Sequence, residues 1–388
     1  MNTLHNNITT QPGDIDTTFG VNGTVHLDTY RTAGTVAQDP QTGKIIGTIS
    51  SPGGFTLLRL NQDGSLDQSF GVEGRVVTRF ADYGNEHRPT AVRFLADGRI
   101  FVAGEVHGQA LLHTRPAAAL FNSDGSDVIE FGQQGRVVMD ITPESTALPA
   151  VPSAPLNSDF VFSFKGGAFT GYGTVICLTA QGTLDQRFAG RGFFTFRLYD
   201  SHDTVFNQLR VRRDGTLLLA GHTAHEPLVV ALTANGELEP SFNGGVRSFS
   251  EAQLRFTCLA LYDDDRVLCV GHRGGTGYVL RLHADGLDDV SFNRGEPLPI
   301  DLGQERLRLT QAEVLADQRI LLGGDSEARH TNIFRRQPDG SPDTSFGTAG
   351  RARARDAFIY AMALQTDGNI LIAGHQANLG TVQRYLGA

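Results

Sequence analysis

The stretch that decides the fold is Asn61-Gln62-Asp63-Gly64-Ser65-Leu66-Asp67-Gln68-Ser69-Phe70-Gly71, which we call the turn segment. Related segments recur at 122–132, 179–189, 233–243, 283–293 and 337–347, and a shortened copy covers 13–20. One phenylalanine per copy marks a period of about 50–60 residues, which is typical of propellers and helical arrays. These seven residues are Phe19, Phe70, Phe131, Phe188, Phe242, Phe292 and Phe346.

Within each period the pattern is that of β-strands. A short alternating run follows the turn segment, as in 74–80, and a hairpin then turns at an Asp-Gly pair, as in 91–104. A third arm, such as 55–60, leads into the next turn segment. Four strands per period predict an all-β, seven-bladed β-propeller with four-stranded antiparallel blades and the hairpin arms innermost.

The seventh copy is divided between the two ends of the chain. Its turn segment starts at Gly13, while the strand that should precede it lies at 381–386. We therefore expect the ring to close by pairing an N-terminal outer strand, 24–28, with the C-terminal strands. The predicted organisation is a flexible N-terminal tail, 1–12, followed by a single seven-bladed propeller, 13–388.

Composition excludes several classes of protein. The net charge of −9 offers no basic surplus for a nucleic-acid partner. No apolar run approaches the roughly 20 residues of a spanning helix, so membrane insertion is not expected. Residues 1–13 are polar and lack a signal peptide's apolar core, which predicts a cytoplasmic protein by default, with leaderless export left open. Cys177, Cys258 and Cys269 are expected to be buried apolar residues rather than a disulfide framework.

Two segments carry a resemblance to a known family. The stretches LNQDGSLDQSFG (60–71) and RRDGTLLLAGH (212–222) resemble the delta-60 repeat, a bacterial β-propeller repeat. The resemblance implies the fold but no general biochemical role. Blade 3 departs from the pattern at 157–160, and blades 5 and 6 replace the glycine of the hairpin turn by Asp265 and Gln318.

The acidic residues of the turn segment have two interpretations. Asn61, Asp63, Ser65 and Asp67 have the every-second-residue spacing of a calcium loop. Other copies hold residues of different charge at these positions, such as Gln181, so we favour turn formation and capping. The phenylalanine is expected to fill the gap between adjacent blades.

Functional residues are expected where the copies differ. The loops that enter the innermost strand and leave the second strand emerge on one face, around the mouth of the central channel. His222, His272 and His375 each follow the closing glycine of a hairpin. They either bond to a neighbouring blade or serve as ligands or acid–base groups; a metal site would require their side chains to converge. The predicted ligand-binding candidates are His222, His272, His375, Glu105, Asp325, His202, His87 and Arg88, with no metal and no cofactor assigned.

These features favour a non-catalytic scaffold that presents variable loops to a protein or glycan partner. The alternative is a propeller enzyme, a hydrolase or lyase acting on a sugar, lactone or related small substrate at the channel mouth. A purely structural repeat segment is a third possibility. The proline-rich insertion 141–156 is either a lid or partner-binding arm, or a tolerated insertion. The sequence shows no nucleophile elbow and no nucleotide-binding glycine loop.

Overall fold

The computed structural model describes residues 10–27, 33–108, 114–141, 160–164, 171–199, 203–377 and 379–387. Their 27 strands form seven separate antiparallel sheets, which are the blades of a propeller. The first strand is β1 (Thr24–Leu27), which belongs to blade 7. Blade 1 contains β2 (Ala33–Gln38), β3 (Ile45–Ser51), β4 (Gly54–Leu60) and β5 (Arg75–Thr78). Blade 2 contains β6 (Glu86–Phe94), β7 (Ile100–His107), β8 (Thr114–Phe121) and β9 (Arg136–Val138).

The other blades follow in the same order, from the innermost to the outermost strand. Blades 3 and 4 contain β10 (Val161–Phe164), β11 (Gly173–Cys177) and β12 (Phe193–Phe196), then β13 (Val205–Val211), β14 (Leu217–His222), β15 (Pro227–Leu232) and β16 (Val246–Ser248). Blades 5 and 6 contain β17 (Arg255–Leu261), β18 (Val267–Arg273), β19 (Thr276–Leu282) and β20 (Leu298–Ile300), then β21 (Leu307–Val314), β22 (Ile320–Ser326), β23 (His330–Arg336) and β24 (Arg351–Arg355). Blade 7 contains β25 (Ala357–Leu364), β26 (Ile370–Gln376) and β27 (Leu379–Tyr385), and β1 is its outermost strand.

The prediction of a seven-bladed, four-stranded propeller is confirmed. Six sheets have four described strands, and blade 3 has three. Residues 142–159, between β9 and β10, lie outside the described residues. Two single turns of 3-10 helix, Asn243–Gly245 and Asn293–Gly295, follow the turn segments of blades 4 and 5. No helix within the described ranges has the length and apolar character needed to cross a membrane.

The ring closes as the divided repeat predicts. Strand β1 pairs antiparallel with β27, with Thr24 opposite Gln383 and Leu27 opposite Gly380. A buried ion pair reinforces this contact, because Arg384 Nε donates to Asp16 Oδ2 over 2.7 Å. The two ends of the chain therefore share one blade. Its outermost strand is joined to the other three strands by hydrogen bonds rather than by a continuous chain.

The hydrophobic core is divided into seven clusters, one between each pair of neighbouring blades. The phenylalanine of every turn segment is fully buried. Phe70, for example, packs against the turn glycine of the next blade so closely that a Cβ on Gly125 would lie 2.9 Å from the ring. This glycine also has a φ of 89°, which disfavours other residues. The predicted packing of the phenylalanine between blades is confirmed.

The turn-and-cap interpretation of the acidic residues is also confirmed. Asp63 Oδ1 accepts hydrogen bonds from the backbone N–H and hydroxyl of Ser65, and Asp67 Oδ1 does the same for Ser69. Asp265 and Gln318, which replace the hairpin glycine in blades 5 and 6, take the left-handed φ values of 63° and 67° that glycine would adopt.

A contact that the sequence analysis missed joins four of the blades. In blades 1, 5, 6 and 7 an arginine on the third strand donates to the second aspartate of the turn segment, at 2.6–2.8 Å. The same guanidinium also donates to a backbone carbonyl just after the third strand of the next blade. These pairs are Arg59–Asp67, Arg281–Asp289, Arg335–Asp343 and Arg384–Asp16. Blades 2, 3 and 4 have Leu120, Cys177 and Ala231 at the arginine position, so this buried ion pair is confined to a continuous part of the ring.

Candidate functional site

Five of the predicted residues occupy one equivalent position in five different blades. Each is the first residue after the closing glycine of the second strand, where that strand reaches the channel-mouth face. They are Glu105, His222, His272, Asp325 and His375. Among the described residues, no group of three or more His, Cys, Asp or Glu side chains is placed to hold a metal ion. The side chains are therefore best considered one at a time.

The innermost strands position these residues through a repeated β-bulge. The pairing register shifts at one residue in β2, β6, β13, β17, β21 and β25. A bulge releases backbone groups from the ladder, and the neighbouring blade uses two of them. Asn207 Nδ2 donates to Phe256 O over 2.6 Å, and Thr257 Oγ1 donates to Leu309 O over 2.7 Å. Polar side chains at this level thus join consecutive blades.

His222 belongs to this joining layer. Its Nδ1 lies 3.0 Å from Asn207 Nδ2, and the same amide nitrogen bonds to the next blade. The ring is half-buried at the end of β14. These contacts support the interpretation in which the histidine stiffens the junction between blades 4 and 5.

His272 lies in a cationic environment. It is half-buried and stands opposite Arg255 in the register of blade 5. Burial lowers its pKa, and the neighbouring charges of Arg308 and Arg255 lower it further. Its Nδ1 is buried and has no hydrogen-bond partner among the described residues. Near neutral pH the ring is therefore held in its neutral form, beside two guanidinium groups.

Asp325 bonds to the next blade rather than to its own arginine. Its Oδ1 accepts the backbone N–H of Ile359 over 2.8 Å and the hydroxyl of Thr331 over 3.4 Å. Arg308 stands opposite it in the register, yet the two form no ion pair. Burial raises the pKa of Asp325 to about 6, against the lowering effect of these hydrogen bonds.

His375 is covered by two aromatic rings. The centroids of Phe358 and Tyr360 lie 4.6 and 5.6 Å from its ring. Burial lowers the pKa of His375, with a further contribution from Arg329. The Tyr360 side chain occupies the bulge of β25 and is 46% exposed, so an aromatic surface is presented at this point of the innermost strand.

The candidates in blade 2 are already paired. Glu105 is buried and contacts Arg88 Nη1 at 3.5 Å and His107 Nε2 at 3.0 Å. Arg88 also pairs with Glu86 at 2.8 Å. Their charges therefore compensate one another.

His87 differs from its predicted placement. The sequence analysis names it among the ligand-binding candidates of the channel-mouth loops, but it lies in β6 and is only 1% exposed. Its Nδ1 accepts the backbone N–H of Phe80 over 3.2 Å. Burial lowers the pKa of His87, with a smaller effect from Arg79. His87 is therefore enclosed by the core between blades 1 and 2, where a ligand from outside does not reach it.

Two further predictions fall outside the described residues. His202 is one, and the insertion 141–156 is the other, except for Ile141. Of the cysteines, all three are buried and free, as expected.

The residues that the sequence analysis undervalued are arginines on blades 5 and 6. Arg255, Arg308, Arg329 and Arg355 are exposed at the channel-mouth face, and none has a carboxylate within salt-bridge distance among the described residues. Other arginines of blades 5 and 6 are paired: Arg273 with Glu251, Arg306 with Glu327 and Arg353 with Glu305. Arg255 was not recognised as a candidate at all, although it stands opposite His272. We call these four unpaired residues the arginine sector.

The cavities lie elsewhere. One, of about 290 Å³, is lined by the hairpin turns of blades 5 and 6, including Tyr262 and Gln318. Another, of about 360 Å³, lies beside Gln62 and Thr366 at the junction of blades 7 and 1. Both open on the face that carries the turn segments, opposite the channel mouth. Within the described part of the chain, the channel-mouth candidates are thus not gathered in either of these pockets.

Comparison with known proteins agrees with the architecture. The family model described as "Domain of unknown function (DUF5122) beta-propeller" matches residues 42–70 and 315–346. These segments cover a minor part of the chain and support a β-propeller repeat family without singling out the delta-60 repeat. A search of curated proteins by sequence finds no match.

Two solved structures illustrate the likeness in fold. YCF48 from Cyanidioschyzon merolae is 9% identical, with a TM-score of 0.51, over 93% of this chain and 98% of that one. Drosophila Semaphorin 2a is 8% identical, with a TM-score of 0.54, over 97% of this chain and 76% of that one. At such low identity the likeness shows the propeller fold alone.

Proposed function

We propose that this protein is a non-catalytic binding scaffold that engages a macromolecular partner through the channel-mouth face of blades 5 to 7. The observation that carries the proposal is the arginine sector: four exposed cations on blades 5 and 6, none with a carboxylate within salt-bridge distance among the described residues. Exposed cations that a protein does not neutralise itself are suited to complementary charge on a partner.

The hydrogen bonds of the other candidates support this proposal. His87, His222 and Asp325 hydrogen-bond to backbone groups or to side chains that join the blades. Side chains that hold the ring together in this way form a rigid support. The exposed Tyr360 adds an amphipathic ring of the kind enriched in binding hot spots.

A capture experiment with matched baits tests the proposal. The baits are the wild-type protein, the Tyr360→Ala variant and the Leu287→Ala variant, and Leu287 is an exposed residue of the turn segment of blade 5 on the opposite face. We expect a partner that wild type and Leu287→Ala retain and that Tyr360→Ala loses or binds at least tenfold more weakly, which is about 1.4 kcal/mol. A partner that all three retain equally would contradict the choice of face, and failure of every bait to retain a partner would contradict the scaffold.

One observation favours the enzyme as a second candidate. Burial raises the pKa of Asp325 to about 6, which suits a general acid near neutral pH. This carboxyl accepts the Ile359 N–H at 2.8 Å, so its free oxygen would have to serve the substrate. Turnover of a sugar, lactone or related substrate that disappears in Asp325→Asn would establish this alternative, and turnover that survives the substitution would remove Asp325 from it.

The delta-60 assignment belongs with these proposals. Four of the turn segments place a buried arginine against their second aspartate, and all seven bury their phenylalanine. We infer that the resemblance reflects descent from one repeated blade.

A further inference from the structure

Arg255 and Arg308 carry positive charge without a salt-bridge partner among the described residues, although Asp325, opposite Arg308, acts on that arginine at longer range. Both are exposed, both act on the same histidine, His272, and no carboxylate lies within 4 Å of either in the described residues. Like charges placed together repel one another, and the repulsion is relieved when an anion binds between them.

The absence of a salt-bridge partner is not general for arginines at this position of the innermost strand. Arg88 occupies the equivalent position of blade 2, and it is paired with Glu86 at 2.8 Å and with Glu105 at 3.5 Å. In blade 5 the residue that corresponds to Glu105 is His272, which is neutral near pH 7. In blade 6 it is Asp325, whose carboxyl oxygen accepts the Ile359 N–H instead.

The neighbouring cations extend the same surface. Arg329 lies over the Phe358 ring, 5.8 Å from its centroid, and Arg355 ends the outermost strand of blade 6. Cations spread over two neighbouring blades, away from the two cavities of the opposite face, fit an extended anionic ligand better than a small enclosed one.

We propose that the arginine sector binds an extended, carboxylate-rich peptide segment of a partner protein, with Arg255 and Arg308 as the principal contacts. This inference rests on the proposed scaffold function and names the chemistry of its partner. The planar guanidinium of arginine matches a carboxylate with two parallel hydrogen bonds, which gives both strength and orientation.

Two features favour a peptide over another polyanion. Strands β17, β21 and β25 are the innermost strands of their sheets, so each has one edge without a neighbouring strand. Phe256 O, Leu309 O and Ile359 N–H already bond between blades, but the other backbone groups of such an edge are donors and acceptors that a peptide backbone complements. The protein's net charge of −9 opposes a long, uniformly charged nucleic acid, whereas a short acidic segment meets only the local cations.

The test uses a defined probe and a charge-matched control. The probe is a fluorescein-labelled peptide of five Glu-Gly repeats, and its neutral counterpart contains Gln-Gly repeats. The proteins are wild type, Arg255→Gln/Arg308→Gln and Arg213→Gln/Arg99→Gln; the last pair removes two charges from hairpin turns on the opposite face. Thermal melts of all variants verify folding, and binding is followed by fluorescence anisotropy at 50 and 200 mM salt.

We expect the Glu-Gly peptide to bind wild type and the opposite-face control alike, and to bind the Arg255→Gln/Arg308→Gln variant at least tenfold more weakly. Affinity should fall with salt, and the Gln-Gly peptide should not bind. No saturable binding to wild type, or equal binding by both double variants, would overturn the inference. Tighter binding of an oligogalacturonate or an oligodeoxynucleotide of equal charge would also overturn it, in favour of a glycan or nucleic acid.

The outcome is separable from that of the scaffold proposal. If the partner captured by wild type binds the Arg255→Gln/Arg308→Gln variant with unchanged affinity, the acidic-segment inference fails while the scaffold stands. The peptide could bind through these arginines while Tyr360→Ala retains every captured protein. Recognition of acidic peptides by the arginines would then be supported, and the proposal that the captured proteins bind through the channel-mouth face would be contradicted.

Discussion

The buried ion pairs that join the blades give the most quantitative prediction, and Asp343→Ala is the sharpest perturbation. Arg335 Nε donates to Asp343 Oδ2 over 2.6 Å, and the arginine is only 1% exposed. Removing the carboxylate leaves a guanidinium away from water, with only the Gly387 carbonyl and the Ser345 hydroxyl as partners. Loss of one member of a buried ion pair costs about 3–5 kcal/mol of unfolding free energy.

The chain provides a matched control in blade 3. Asp185 caps its turn in the same way, accepting the backbone N–H of Arg187 over 3.1 Å, but the arginine side chain with which it pairs is 40% exposed. Asp185→Ala should therefore lower the free energy of unfolding by only about 1–2 kcal/mol, because it removes a cap and a solvated ion pair. Urea unfolding followed by far-ultraviolet circular dichroism measures both values. Equal losses for the two variants would show that burial of the arginine does not decide the loss of stability.

Three further predictions concern the ring and its interior. Deleting residues 1–22 removes the Phe19 ring and the carboxylate paired with buried Arg384, so the melting temperature should fall; an unchanged melt would disprove closure at the termini. Phe70→Ala should cost about 3–5 kcal/mol in urea unfolding, and a loss below about 1 kcal/mol would contradict its packing between blades. Burial lowers the pKa of His87, so the folded state binds its proton less readily than the unfolded chain does. Stability should therefore fall as the pH drops below about 6.5, less steeply in His87→Leu; equal slopes would contradict this.

The architecture was predictable because local signals repeat. A turn segment, an alternating run and one phenylalanine recur in seven copies, and the divided copy at the termini indicates a closed ring. The residues that the copies share were interpreted correctly because their roles are local: Asp67 bonds within two residues of itself, to Ser69. Arg59 was missed because its partner lies eight residues away, on the far side of the strand–turn junction, and only four of the seven blades contain it.

The candidate site was less predictable because the bulges shift the register. Counting back from the hairpin turn of blade 5 pairs His272 with Phe256. The bulge at Thr257 moves the register by one residue, so the observed partner is Arg255. A shift of one residue exchanges the two faces of a strand. The charge environment of His272 therefore follows from a backbone irregularity that the sequence pattern does not signal.

The hydrogen-bond partners of some candidates also depend on contacts between blades. Asp325 resembles Glu105 in sequence context, since each follows a closing glycine and stands opposite an arginine. Only the fold shows that Glu105 pairs with Arg88 while Asp325 accepts the N–H of Ile359. Equivalent positions in a repeat protein thus acquire different chemistry from their neighbours in the next blade.

Hydrogen–deuterium exchange of the protein with and without its captured partner locates the bound surface. Binding through the channel mouth should slow exchange at the channel-mouth ends of β17, β21 and β25 and in the loop between β22 and β23, with the turn segments unchanged. Protection confined to the turn-segment face would contradict the proposal that this propeller binds its partner through the channel mouth of blades 5 to 7.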